Sequence, residues 1–286
     1  MANLKEIRSR IASVTSTMQI TSAMKMVSAA KLKKAQDAIT AMRPYANKLT
    51  ELLQSLSATL DDDSGSKYSE QREVKKVLIV AVTSNRGLCG AFNSNIIKET
   101  AKVKAQKYSD TEVSYLTIGK KAYDAFKKTN RVIANKSDVY DDLTFDNVAE
   151  IAEFLMEKFV SGELDKIEIV YNKFKNAATQ EIMAEQFLPI VPVDDTVNSN
   201  LDYIFEPSKA EIVKELIPKS LKTQLYKSVR DSFASEHGAR MTAMHKATDN
   251  ATELRDQLRL TYNKARQAAI TNEILEIVGG AEALNN

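Results

Sequence analysis

Apolar residues in the last part of the chain recur in alternating steps of three and four. From Met244 the seam runs through Ala247, Ala251, Leu254, Leu258, Thr261, Ala265, Ala268, Asn272 and Leu275. That spacing is the heptad of a left-handed supercoil. Between Pro218 and Gly279 the segment Lys219–Val278 has no proline and one glycine, Gly238, so it reads as one continuous helix. About sixty residues at a ~1.5 Å rise span roughly 90 Å. The average globular helix has only ~11–12 residues, so one compact core cannot cover this one. Half of the seam is Ala or Thr, which requires a closely approaching partner, and the partner expected is another long helix.

The start of the chain supplies one. Residues 1–43 contain no glycine or proline. Leu4, Ile7, Ile11, Val14 and Met18 again step by three and four, and Leu32, Ala35, Ile39 and Met42 resume the seam. Between them the register reads as broken, because Thr21, Lys25 and Ser28 fall on it. Ile20, Ala23, Met24, Met26, Val27, Ala29 and Ala30 spread apolar surface around the helix instead. A helix apolar on several faces must be surrounded on several faces. Either a sleeve of other protein or a core within this chain satisfies that. Pro44 is expected to bend or tighten the helix, and the helical pattern continues over 46–60. Asp61–Ser66 reads as an acidic exposed loop.

From Val74 the period changes. Val77–Val82 is a continuous β-branched run, as in a strand buried on both sheet faces. The loop Thr83–Phe92 leads to a helix over 93–107. A strand over 113–118 ends at Gly119, and helices over 120–128 and 145–160 follow. A further strand covers 167–171, and 181–187 fits either a strand or a helix. This alternation predicts a small α/β domain with a largely parallel sheet. Pro189, Pro192 and Pro207 punctuate the exit, and Ser208 with Glu211 fits a capping box for the next helix.

Composition narrows the function. Of 286 residues, 43% are hydrophobic and 27% charged, with eight glycines, five prolines and no tryptophan. Few turn-formers favour long helices. The formal net charge of +2 carries no nucleic-acid-like bias. Residues 1–43 do concentrate eight basic side chains against Glu6 and Asp37, a face suited to solvent, an acidic partner or a nucleic-acid backbone. No aromatic residue interleaves with them, so no nucleic acid is expected. The single Cys89 fits a reducing compartment. The longest apolar run, Val77–Val82, is far short of the ~20 residues that span a bilayer. The N-terminus has no apolar signal core.

No catalytic, cofactor or metal site is expected. Gly87-Leu88-Cys89-Gly90 at a strand-to-helix turn invites a phosphate-binding reading, but it lacks both G-x-G-x-x-G and G-x-x-x-x-G-K-[ST] spacing. Its glycines suit a tight turn and close helix–sheet packing. Cys89 has no evident acid–base partner nearby in sequence, and His237 and His245 lack metal-ligand spacing.

With the long helices at opposite ends of the chain, pairing of their seams makes them antiparallel. The α/β domain becomes an insertion at one end of a rod. The expected division is a discontinuous coiled-coil shaft, 1–60 with 208–286, and an α/β foot, 74–206. Apolar residues on the outside of the shaft, Met24, Met26, Ile270, Ile274 and Ile277, need a sheath.

Three segments carry a family resemblance: Ile7–Val14 continuing through Gln19–Leu32; Asn85–Asn93; and Ala234–Met241 with Ala247–Ala251, Tyr262–Thr271 and Glu276–Ala281. On these the chain resembles the γ subunits of F-type ATP synthases, essentially end to end. The resemblance implies a fold of an antiparallel two-helix coiled coil with an inserted Rossmann-like α/β domain. It implies a central-stalk rotor, one copy per complex, threading the hexamer of α and β subunits and resting on the c-ring beside ε. Ion-driven ring rotation would then bias each β subunit's conformational equilibrium in turn. Residue by residue, it places Met24, Lys25, Lys31, Lys33 and Lys34 near the β levers. Arg240, Arg266 and Gln267 match residues at the hexamer's catch loops, with Arg240 facing outward. Ile270, Ile274 and Ile277 match the hydrophobic bearing, and Tyr203 and Glu206 the c-ring contact. It also implies a non-catalytic subunit without cofactor, peripheral to the cytoplasmic face of a bacterial inner membrane. The sequence departs from the family pattern at Ser22, Asn85 and His237-Gly238. A mid-helix glycine costs roughly 1 kcal/mol, which marks Gly238 as a possible weak point. Two other classes compete. A nucleotide-dependent α/β enzyme predicts tight nucleotide binding by the isolated chain, and a coiled-coil scaffold predicts a stable homodimer.

Overall fold

The computed structural model describes residues 4–57, 66–190 and 209–284. In order the elements are α1 (Leu4–Ser57), α2 (Ser66–Ser69), β1 (Lys76–Val82), α3 (Phe92–Lys107), β2 (Glu112–Ile118) and α4 (Lys120–Phe126). Then come β3 (Arg131–Asn135), a 3-10 turn (Ser137–Tyr140), α5 (Phe145–Val160), β4 (Lys166–Phe174), β5 (Gln180–Leu188) and α6 (Lys209–Leu284).

The chain forms two compact units, the described residues of Met1–Ser28 with Met241–Asn286, and Ala29–Arg240. In the first, α1 and α6 run antiparallel. Met18 meets Arg255, Thr21 meets Thr248 and Lys25 meets His245.

The larger unit is built on a five-stranded sheet in the order β3-β2-β1-β4-β5. β1 pairs parallel with β2 and β4, and β2 parallel with β3. β5 returns antiparallel to β4. The run Val77–Val82 is fully buried because both faces are covered. Leu78, Val80 and Val82 join α5 and the Ile217, Leu221, Leu225 and Val229 face of α6. Val77, Ile79 and Ala81 join Ile96 and Val103 of α3 and Ala122 and Phe126 of α4. This is the two-sided packing expected of a parallel sheet. The Thr144 hydroxyl accepts from Asn147 N and caps α5.

Several expectations change. The segment 181–187 is a strand at the sheet edge, with Met183 and Phe187 packed into one core cluster and Ala184 against the other. β3 was not anticipated, since Arg131–Asn135 is short and half-buried and lacks a strong apolar run. α1 passes through Pro44, which is exposed while Ala46 and Leu49 beyond it are buried. α6 begins ten residues before Lys219 and passes through Pro218. An interior proline costs ~3 kcal/mol. Burial of Ile217 and Leu221 beside it offsets that cost. Ser66 opens α2 rather than ending a loop. The acidic stretch 61–65, Pro192, Pro207, the Ser208 cap, Tyr203 and Glu206 lie outside the described residues.

The seams also change. In α1 the heptad does not break. Ile7, Ile11, Val14, Met18, Thr21, Lys25, Ser28, Leu32, Ala35, Ile39, Met42, Ala46 and Leu49 are all buried or half-buried, while Ile20, Met26 and Val27 are exposed. The polar residues on the line are accommodated by partners: the Thr21 and Thr248 hydroxyls bond at 2.8 Å. In α6 the period is right and alternate positions are displaced by one. Met244, Thr248, Ala251, Arg255, Leu258, Tyr262, Ala265 and Ala269 are buried or half-buried. Leu254, Thr261, Ala268, Asn272 and Leu275 are exposed. The two possible lines share Met244, Ala251, Leu258 and Ala265. Thr248, bonded to Thr21, and Arg255, which donates to the Met18 sulfur at 3.5 Å, fix which one is used.

Candidate functional site

In a doubly wound sheet, ligands bind at the carboxyl ends of the strands where the strand order reverses. Here that point lies between β1 and β4, and the loop Thr83–Ala91 leaves β1 beside it. The loop is held from inside. The Ser84 hydroxyl donates to Arg86 O (2.5 Å), and Asn93 Oδ1 accepts from Ser84 N (2.9 Å). Asn85 Oδ1 accepts from Lys120 N, while its amide donates to Ser137 O.

The crevice is filled by the chain's own α6. Ser235 Oγ donates to Asn172 O on β4 (3.0 Å), and Asn172 Nδ2 donates to Phe92 O. Arg240, only 7% exposed, donates from Nη2 to Arg86 O (3.1 Å) and Gly87 O (3.2 Å), and from Nη1 to Glu236 Oε1 (2.6 Å). Arg240 therefore faces inward, contrary to the expectation that it points out. Its i,i+4 pairing with Glu236 and the free loop carbonyls draw the guanidinium under the loop. The loop turns these carbonyls toward the crevice, and the Arg240 cation answers them.

Gly238 has a definite role here. A Cβ at this position would stand 3.1 Å from Ala177 O and 3.2 Å from Ala177 Cα. The missing side chain lets α6 lie against the β4–β5 turn. The glycine thus has a packing role at this contact.

Burial sets the electrostatics. It raises the Glu236 carboxyl above its usual range, against the attraction of Arg240. His237, 5% exposed, is held neutral: burial first, then Arg240 and Lys31, push it down to about 3. Its Nδ1 lies 3.4 Å from Arg240 Nη1, its ring packs edge-on to Phe233, and Nε2 has no partner. Burial pushes the Cys89 thiol up, the opposite of what a nucleophile needs. No group of three His, Cys, Asp or Glu among the described residues is placed to hold a metal.

A pH prediction follows. An unfolded chain protonates His237 near 6.5, and the folded chain does so only near 3. Between these values the unfolded state binds more protons, so this stability is full above 6.5 and is lost as pH falls toward 3. Glu236 acts in the opposite sense, because its raised folded value adds stability at lower pH and loses it as pH rises. His237→Gln keeps the Glu236 effect and removes the histidine. Between pH 7.5 and 5 its melting temperature should fall less than that of the native chain, by a difference worth about 1–2 kcal/mol. Parallel melting curves would show the histidine is not responsible.

The remaining expected site residues are dispersed. Met24 and Lys25 are half-buried, and Lys31, Lys33 and Lys34 are exposed, with Lys33 bonded to Asp37 at 2.9 Å. Arg266, Gln267, Ile270, Ile274 and Ile277 are exposed on the last stretch of α6. Sequence reasoning missed the Arg240 hold on the loop and the polar layer Thr21, Lys25, Thr248 and His245. Counting the heptad through Thr21 and Lys25 would have found the second. Among the described residues no helix is long and apolar enough to cross a membrane.

Comparison with known proteins gives a consistent result. A family model described as ATP synthase matches residues 3–284. The chain is 74% identical over 285 residues to the ATP synthase gamma chain of Flavobacterium psychrophilum, covering 99% of each. It is 72% identical over 286 residues to that of Flavobacterium johnsoniae, covering 100% of each. In fold it is similar to a chain in the Euglena gracilis mitochondrial ATP synthase OSCP/F1/c-ring structure. The TM-score is 0.69 at 22% identity, covering 98% of this chain and 94% of that one. With an antiparallel helix pair, an inserted α/β sheet and relatives matched along their whole length, the chain belongs to the ATP synthase gamma chain family.

Proposed function

We propose that the chain is the central-stalk rotor of an F-type ATP synthase. One copy couples ion-driven rotation of a c-ring to conformational cycling of three catalytic β subunits, and ATP hydrolysis drives the reverse. The chain itself is non-catalytic. Its partners are the α and β hexamer, ε and the c-ring, and its place is the cytoplasmic face of a bacterial membrane. Lys31, Lys33, Lys34, Met24 and Lys25 meet the β levers, and Arg266 and Gln267 the catch loops. Arg240 acts through its hold on the loop. Tyr203 and Glu206 serve the c-ring contact.

One observation supports this reading beyond kinship. Ile270, Ile274 and Ile277 are 47%, 55% and 70% exposed on one helix, with Leu275 and Val278 beside them. A continuous apolar stretch of this kind marks a protein interaction site, and a hydrophobic bearing suits it. Replacing the three isoleucines together by serine removes ~1.5–3 kcal/mol per side chain wherever each becomes fully buried. In complexes reconstituted with α, β and the membrane sector, ATP-driven proton pumping should fall by about half or more. The melting temperature of the isolated chain should barely change, since the described residues leave these side chains about half exposed or more. Unchanged pumping and assembly would remove the bearing role.

A further inference from the structure

The polar layer of the α1–α6 pair holds an arrangement of which the rotor reading uses only Lys25. His245 Nδ1 stands 3.2 Å from Lys25 Nζ on α1 and 3.5 Å from Asp249 Oδ2 one turn along α6. One atom thus faces a cation on the opposite helix and a carboxylate on its own. An ammonium has only donors, so Lys25 bonds Nδ1 only while that nitrogen keeps its lone pair. The neutral ring must then carry its proton on Nε2. Next to this pair, Thr21 and Thr248 bond across the same seam at 2.8 Å. Lys25 itself is half-buried on the heptad line, where an apolar residue would ordinarily sit.

We propose that Lys25, His245 and Asp249 form a proton-operated clasp between the two helices. With the ring neutral, Lys25 donates to Nδ1 and ties α1 to α6. When Nδ1 takes a proton from solvent, its lone pair is consumed and the Lys25 bond breaks. The new N–H donates to Asp249 Oδ2, and the imidazolium repels the Lys25 ammonium. A bond between helices is exchanged for one within α6. Lys25 is the charged group facing the ring from α1, and Asp249 the one facing it from α6. Acidification therefore loosens the pair at this layer and turns the Lys25 ammonium away from the seam. Alkaline conditions close it. The clasp rests on bonds within this chain, and its test reads the chain alone.

Hydrogen exchange on the full chain tests it, read over 18–28 and 241–252 at pH 8 and pH 5 after correction for intrinsic rates. The native chain should lose about two- to fivefold protection there at pH 5, the scale of one exposed polar pair. His245→Gln, which retains an acceptor and keeps His237, should lose clearly less. Lys25→Met should also flatten the response, because no bond remains to be broken. Nitrogen shifts of the His245 ring at pH 8 should report the Nε2–H form. Equal acid-induced loss in the native chain and His245→Gln would overturn the clasp. So would a flat native profile or an Nδ1–H ring at pH 8.

Discussion

Gly119→Ala should destabilise the larger unit by about 3–5 kcal/mol or prevent its folding, an effect of the size expected when backbone strain meets a buried clash. Gly119 joins β2 to α4 at φ +112, outside the range side chains tolerate. A Cβ there would lie 2.2 Å from the Thr83 carbonyl oxygen. Thr83 cannot retreat. Its N–H donates to Ile118 O at 2.8 Å, and its hydroxyl accepts from Ala122 N at 2.9 Å. Gly90→Ala is the control. Gly90 has φ +59 with open space around a Cβ, so only the left-handed cost of ~1–2 kcal/mol applies. Urea unfolding of the full chain separates the two variants, and equal midpoints would mean that the Thr83 contact is not what requires Gly119.

Arg240→Ala should cost about 3–5 kcal/mol, because removing one member of a buried ion pair strands the other. The variant leaves Glu236 buried without its guanidinium, takes the guanidinium from Gly87 O, and leaves Arg86 O only its bonds within the loop. The outward orientation expected from the sequence implied an intact fold, and the inward one implies the reverse. Arg240→Ala with Glu236→Gln should recover part of the loss, since the stranded charge is gone while Gly87 O still lacks the guanidinium and Arg86 O keeps only its bonds within the loop. A double-mutant cycle on unfolding free energies measures that recovery. A single-variant loss below ~1 kcal/mol would show that water reaches the pair and the latch contributes little.

Periodicity made the two long helices and their antiparallel sense legible. The run Val77–Val82 announced the buried centre of the sheet. What it could not show was which of two interleaved lines on α6 faces its partner. Both contain Met244, Ala251, Leu258 and Ala265, and Leu254 is as apolar as any residue on the line actually used. The choice rests on Thr248 and Arg255, whose polar side chains bond across the pair. Thr21 and Lys25 misled for the same reason, because polarity on a seam reads as an interruption until its partner is known. β3 was missed because its residues are only half-buried. The Arg240 site was half legible. The glycine loop and the segment around His237 both stood out in the sequence. That they meet depends on a fold bringing positions 153 residues apart together.

The pairing of α1 with the end of α6 also constrains how the protein is made. Thr21 waits for Thr248, 227 positions later in the chain. At ~5–20 residues per second on a ribosome, roughly 10–45 seconds separate the synthesis of the two. The sheet can assemble in that interval from segments close in sequence. The apolar line of α1 cannot be covered by its final partner until translation is nearly complete. Truncated products should therefore be sticky, and holding that helix soluble during synthesis becomes a task for chaperones.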